Sequence, residues 1–214
     1  MAAIKVQVAN VGHVIYAEQI CKLIAESAVS RGTGIAKRTP EYISGKMKED
    51  QAIIALSGEG ELAGFCYIES WSDKQYVANS GLIVNPSYRG MGLARKIKRK
   101  AFEHSRRKFP EAKLFGLTTS LPVMKINSEL GYFPVTYNQL TTDETFWKGC
   151  QSCVNYEILK KKSRSNCMCT AMMYEPGSRR KNSWDFIRKS KLYERFMALK
   201  KKRLGKEIEK KKKN

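Results

Sequence analysis

The segment Arg89-Gly-Met-Gly-Leu-Ala94 follows directly on an apolar run, Ser80-Gly-Leu-Ile-Val84, and the turn dipeptide Asn85-Pro86. Glycines at 90 and 92 leave the first amide N–H groups of a following helix uncovered at the positive end of its dipole, and Arg89 adds a permanent cation. That combination suits a pyrophosphate. The plain alternative is a turn into a solvated basic helix. Other phosphate loops fit poorly, since neither Gly-x-x-x-x-Gly-Lys-Ser/Thr nor the third glycine of a dinucleotide fingerprint is present. A second group, Arg31, Lys37 and Arg38, sits beside Gly32 and Gly34 in a cationic loop suited to a carboxylate, with a solvated loop as the alternative. A third is Cys150-x-x-Cys153 with Cys167-x-Cys169. Four thiolates so spaced suit a tetrahedral structural zinc, although the single residue inside the second pair departs from a ribbon knuckle, and four unrelated reduced thiols are the alternative.

The elements that position these groups follow from periodicity. Residues 4–8 alternate as a strand, 14–28 carry the apolar spacing of a helix, and Pro40 starts another helix at its favoured first position. Residues 52–56 and 62–71 read as strands joined by the turn Ser57-Gly-Glu-Gly60, and 76–84 is the next strand. Ala94, Ile97, Ala101, Phe102, Ser105 and Phe109 recur at three- and four-residue spacing, which predicts a helix over 89–109 with Arg95, Lys96, Arg99, Lys100 and Arg106 on its wet face. A strand at 113–119, a helix at 122–130 and a last strand at 132–137 follow. Hairpin strands first and alternating strands and helices later predict an α/β (α+β) fold, a mixed central sheet flanked by helices. Gly81 and Gly116, inside strands, mark close backbone approach or tight packing on a helix.

The chain has 214 residues, a net charge of +20 and six cysteines. No secretory h-region or span of about 20 apolar residues is present, so a cytoplasmic protein with reduced thiols is expected, and no membrane partner. Residues 179–214 hold 16 Lys/Arg against 4 Asp/Glu. This C-terminal basic helical tail could make weak nucleic-acid or ribosome contacts through phosphates, or simply solubilise the chain. The organisation expected is a domain over 1–175, with a cysteine-bearing part at about 146–175, and a tail over 176–214.

Arg89-x-x-Gly92-x-Ala94 after a strand ending Val84-Asn85-Pro86 resembles the acyl-CoA signature of the GNAT N-acetyltransferase superfamily, and the element order is similar to that fold over about residues 3–140. The resemblance implies that backbone groups of Leu82, Ile83 and Val84 hold pantetheine and that the Val84 N–H polarises the thioester carbonyl. It further implies that Arg89, Gly90, Met91, Gly92, Leu93 and Ala94 grip the pyrophosphate of acetyl-CoA. Amine acylation also needs a proton acceptor, and Glu69 on the preceding strand is the candidate, directly or through water. Many members carry a tyrosine acid where this chain has Asn127, so Asn127 is assigned only a hydrogen bond to CoA. Tyr132, Tyr137 or water are left as proton sources.

The stretches Arg31-Gly-Thr-Gly-Ile-Ala-Lys-Arg38, Phe65-Cys-Tyr-Ile-Glu-Ser-Trp71 and Phe146-Trp-Lys-Gly-Cys150 resemble a bacterial GNAT group linked to arginine biosynthesis. That implies transfer of an acetyl group, or another short acyl group such as succinyl, to the α-amine of L-glutamate or a similar amino acid. The rivals are a protein or ribosome-associated N-acetyltransferase docked by the tail, and a non-catalytic CoA-binding module. A homodimer is left open.

Overall fold

The computed structural model describes residues 3–31 and 38–178. The chain divides after Pro176 into two units, and every element below belongs to the first. Strand β1 (Lys5–Val8) leads through a 3-10 turn (Val11–Tyr16) into helices α1 (Ala17–Arg31) and α2 (Pro40–Lys48). Then come β2 (Ala52–Leu56), β3 (Leu62–Trp71), β4 (Tyr76–Val84), α3 (Leu93–Lys108), β5 (Lys113–Thr118) and α4 (Leu121–Glu129). The last part holds β6 (Phe133–Pro134), the short helices α5 (Glu144–Lys148) and α6 (Tyr156–Lys161), and β7 (Thr170–Tyr174).

The seven strands form one mixed sheet in the order β1-β2-β3-β4-β5-β7-β6. Strand alternation sends neighbouring residues to opposite faces, and both faces are covered. Ile54, Phe65 and Ile83 pack with Ile20 and Ile24 of α1 and Ile43 and Met47 of α2, whereas Ile53, Ala63 and Cys66 pack with Leu93, Ile97 and Ala101 of α3. The result is a helix–sheet–helix sandwich. Pro40 does open α2, behind Thr39, whose hydroxyl accepts from the Tyr42 N–H at 3.3 Å.

Two expectations change. The strand expected over 132–137 is cut to Phe133–Pro134, because Pro134 offers no N–H and confines β6 to the edge of the sheet. Between it and β5 lies β7, whose Ala-Met-Met centre carries little strand signal in the sequence.

The feature that creates a site is where β4 and β5 part. Their parallel pairing runs only from Tyr76↔Lys113 to Ala78↔Phe115, although β4 continues to Val84 and β5 to Thr118. On its other side β4 shifts register, since Phe65 pairs with Ile83 but Tyr67 with Ser80, so Gly81 and Leu82 together oppose Cys66. This bulge bends β4 away from β5. Gly81 has φ +63°, and a Cβ there would lie 2.2 Å from Cε1 of Tyr67, so the bulge requires glycine. Gly116 is different: a Cβ would meet Asn127 Nδ2 at 3.9 Å, an ordinary contact, and the close approach expected there is not needed.

Gly81→Ala combines a left-handed backbone with a collision, and we expect it to cost about 2–4 kcal/mol. In a thermal melt the midpoint should fall by roughly 5–15 °C; an unchanged midpoint would mean that the bulge does not constrain β4.

Candidate active site

A cavity of about 430 Å³ opens where β4 and β5 diverge. Asn79, Ser80, Gly81 and Leu82 of β4 line one side and Gly116, Leu117 and Thr118 of β5 the other. Arg38, Tyr42, Tyr67 and Glu69 close one end. Glu69 stands near the end of β3, and its Oε1 accepts from Tyr42 Oη at 2.5 Å and from Arg38 Nη2 at 3.2 Å. Arg38 Nε also donates to Tyr67 Oη at 3.0 Å, and the guanidinium carbon lies 4.9 Å from the Tyr42 ring centre. Burial works to lower the Arg38 pKa, but Tyr67, Glu69 and Tyr42 outweigh it and hold it above its ordinary value. Burial and the neighbouring Glu69 charge push the Tyr42 phenol far upward, and the same two causes raise Tyr67. Both phenols therefore stay protonated. The site presents a fixed guanidinium beside a carboxylate at the cavity wall, whose bonds to Arg38 and Tyr42 are both made by Oε1.

Of the carboxylate-binding candidates, Arg38 is thus in the cavity. Lys37 and the Arg31 side chain lie outside the described residues.

The turn after β4 is built as the sequence suggested. Asn85 fixes its start, donating from Nδ2 to the Leu62 carbonyl at 3.0 Å while Oδ1 accepts from the Ser87 N–H. Gly90 and Gly92 have φ +79° and +71°, and a Cβ on either would meet nothing within 4 Å. Gly92 caps α3 with no side-chain bond, so the first-turn amides of Leu93, Ala94 and Arg95 have no side-chain cap. Arg89 is exposed, its Nε 3.4 Å from the Val84 carbonyl, and Met91 is exposed as well. The three strand residues assigned to pantetheine separate: Leu82 lines the cavity, Ile83 is buried with α1 and α2, and Val84 pairs opposite Gly64 and does not line the cavity.

Asn127, on α4, is buried and lines the same cavity. Its Nδ2 lies 3.8 Å from Met172 Sδ, and its Oδ1 has no hydrogen-bond partner among the described residues. Neither tyrosine offered as a substitute lines the cavity: Tyr132 is buried with an unpartnered hydroxyl, and Tyr137 donates to the Cys169 carbonyl at 2.9 Å. Sequence reasoning missed Lys98. It lies four residues after Ala94 and three before Ala101, on the apolar face of α3, and it is buried at the cavity wall.

The zinc centre expected from the cysteine spacing finds no support. Cys150, Cys153, Cys167 and Cys169 are free and half-buried, and among the described residues no group of three or more His, Cys, Asp or Glu could hold a metal ion. Cys150 and Cys167 pack instead on the aromatic cluster of Trp147, Phe146 and Phe115, while Cys150, Cys153 and Cys169 form part of the cavity wall. Burial first, and the neighbouring thiols next, push Cys150 up to about 11 and Cys169 to about 12, so both stay protonated. The basic tail lies outside the described residues. Among the described residues no helix is long and apolar enough to cross a membrane.

Residues 19–123, which run from α1 through the phosphate-type turn to α4, match the model of the acetyltransferase (GNAT) family. This segment is a GNAT acetyltransferase domain. The family is one of acetyltransferases, and the mixed sheet with its flanking helices is the GNAT fold. Similar solved structures include the Neisseria gonorrhoeae N-acetylglutamate synthase complexed with coenzyme A and N-acetyl-glutamate, at 15% identity and a TM-score of 0.58. That match covers 83% of this chain and 36% of the Neisseria protein, so the chain spans about a third of that enzyme's length. A Mycobacterium tuberculosis protein solved with CoA matches at 14% identity, covering 80% of this chain and 98% of its own, with a TM-score of 0.57. A Salmonella typhimurium protein solved with its cofactor acetyl-CoA matches at 12% identity, covering 84% and 98%, with a TM-score of 0.56. At such identities the likeness is one of fold. No curated protein matches the chain.

The GNAT domain also carries a pH liability in its core. Burial pushes the fully buried Cys66 thiol from 9.0 to about 11, so the unfolded chain releases this proton first as pH rises. The stability it contributes is complete below about pH 9 and is lost as pH climbs toward about 11. Denaturant unfolding at pH 8 and pH 10.5 should show the loss in the native chain and a smaller one in Cys66→Ala.

Proposed function

We propose that the GNAT domain transfers an acetyl group, or another short acyl group such as succinyl, from acyl-CoA to the α-amine of L-glutamate or a similar amino acid, in keeping with the arginine-biosynthesis group it resembles. The observation that carries this reading is a single cavity with the opened β4–β5 edge along its length and the Arg38–Glu69 pair at its end. The Neisseria structure, which holds coenzyme A and N-acetyl-glutamate, supports the same acceptor class.

The residues fit an acyl-CoA. The uncapped amides of Leu93 and Ala94, the open backbone at Gly90 and Gly92 and the Arg89 cation suit the pyrophosphate. Leu82, freed from regular pairing by the bulge, and the unpartnered Asn127 Oδ1 suit the amide groups of pantetheine. When bound, acyl-CoA supplies a thioester activated toward an amine.

The chain's part is binding, orientation and proton handling. Arg38 holds an acceptor carboxylate through a charge-assisted bond, and its stacking on Tyr42 fixes the guanidinium plane. Glu69 keeps Oε1 for Arg38 and Tyr42 and uses Oε2 to take the proton of the incoming ammonium, directly or through water, so that the amine attacks in its neutral form. The aromatic wall of Trp71, Phe115 and Phe146 excludes water beyond them.

Release of free CoA from acetyl-CoA and succinyl-CoA against a panel of amino acids tests the proposal, with glutamate expected to be among the best acceptors. Arg38→Met should raise KM for glutamate by about 10- to 100-fold, the loss of one charged hydrogen bond, with KM for acyl-CoA little changed. Glu69→Gln should lower kcat by about 10²- to 10⁴-fold. No amino-acid-dependent release by the native chain would overturn the acceptor assignment.

A further inference from the structure

Lys98 is a buried cation with no buried anion beside it among the described residues. It is 2% exposed, and its Nζ donates to the Asn79 carbonyl at 3.0 Å. An ammonium has three donors, and among the described residues this carbonyl is the acceptor it meets. Among the described residues no carboxylate pairs with it, whereas Arg38, Arg95, Lys113 and Arg164 each have one. An unneutralised charge so deep is costly unless something completes it.

Its position says what that is. Asn79 is the first β4 residue past the last β4–β5 pair, so Lys98 Nζ is tied to the apex of the opening. Facing the same cavity from α4 is Asn127, whose Oδ1 is unpartnered although the residue is 1% exposed. The two are linked through Tyr132: its N–H bonds the Asn127 carbonyl at 3.0 Å, and its ring lies 5.7 Å from Lys98 Nζ. A missing anion and a missing donor thus border one space. A thioester lying along β4 brings both, an amide N–H and a sulfur that becomes anionic on transfer.

We propose that Lys98 is the proton donor to the departing thiolate and is a catalytic residue of this transferase; the inference rests on the acyl-CoA reading above. As the amide C–N bond forms and the C–S bond breaks, the sulfur keeps the C–S electron pair and Lys98 Nζ gives it a proton. Glu69 holds the proton released by the amine, and neutral Lys98 regains one from solvent, so no other reactant is needed. Of the remaining phenols of the cavity, Tyr42 donates its proton to Glu69, and Tyr67, which accepts from Arg38, is pushed by burial well above its usual range and is a poor acid. Burial lowers the Lys98 pKa, which eases proton release. The groups facing it are Cys66 of β3, Asn79 of β4 and Tyr132 ahead of β6; Cys66 is held protonated and Tyr132 is pushed well above its usual range, so neither titrates near neutrality.

The test uses the full chain and coenzyme A. Difference spectra between CoA and desulfo-CoA complexes, recorded in the thiolate band across a pH series, report ionisation of the bound thiol alone. The native chain should ionise bound CoA at a pH about one unit below the free thiol, a tenfold gain in thiolate. Lys98→Met should abolish that shift and lower kcat at least tenfold, with CoA still binding by calorimetry. Lys98→Arg, which keeps the charge but does not give up its proton, should keep the shift and still lose kcat, and it serves alone where Lys98→Met fails to fold. An unshifted thiol in the native complex, or a Lys98→Arg enzyme with native kcat, would overturn the assignment while leaving the acyl-CoA reading intact. A native chain that binds no CoA would overturn both.

Discussion

The rest of the structure depends on one break in hydrogen bonding: β4 and β5 pair for three residues and then separate. A parallel pair in the middle of a sheet is ordinarily continuous, because each unpaired backbone group there loses a bond it cannot recover from solvent. Here the separation is enforced from the far side, where Gly81 and Leu82 oppose a single Cys66 and the Tyr67 ring occupies the space a side chain at 81 would need. The freed edges become the walls of the cavity. They are open to a ligand with amide groups of its own, which is what pantetheine is.

Charge is arranged differently at two places on the wall of that cavity. Toward β3, Arg38 and Glu69 neutralise each other and are tied by Tyr42 and Tyr67, so the pair is rigid before any acceptor arrives. At the apex, Lys98 stays uncompensated. Helix α3 serves twice, presenting uncapped amides at its N-terminus behind Gly92 and Lys98 about a turn and a half further on. A bidentate, exposed Arg95–Glu129 pair, at 2.7 and 2.9 Å, links α3 to α4, the helix that carries Asn127.

Much of this was legible in the chain. The strands through β5, the helix at Pro40 and the turn with Gly90 and Gly92 follow local rules of period and backbone freedom, which sequence carries directly. Glu69 and Arg38 were singled out separately, but their pairing was not readable, because it joins groups 31 residues apart through a sheet register. The strand at 170–174 escaped because Ala-Met-Met has weak strand character and gains its place only by pairing with β5. The cysteines misled for a related reason: their spacing matches metal knuckles, yet packing against Trp147 and Phe146 explains the burial of Cys150 and Cys167. Lys98 was readable. A lysine in phase with Ala94 and Ala101 breaks the amphipathic pattern, and such a break on an otherwise apolar face marks either an error in the assignment or a site.

The central claim is that the opened edge of β4 and the turn after it form the acyl-CoA seat. Backbone hydrogen exchange of the full chain with and without coenzyme A tests it most directly. The account predicts new protection confined to the amides of residues 81–94 and 116–118. Binding that protects other segments while leaving those amides exchanging as before would contradict it.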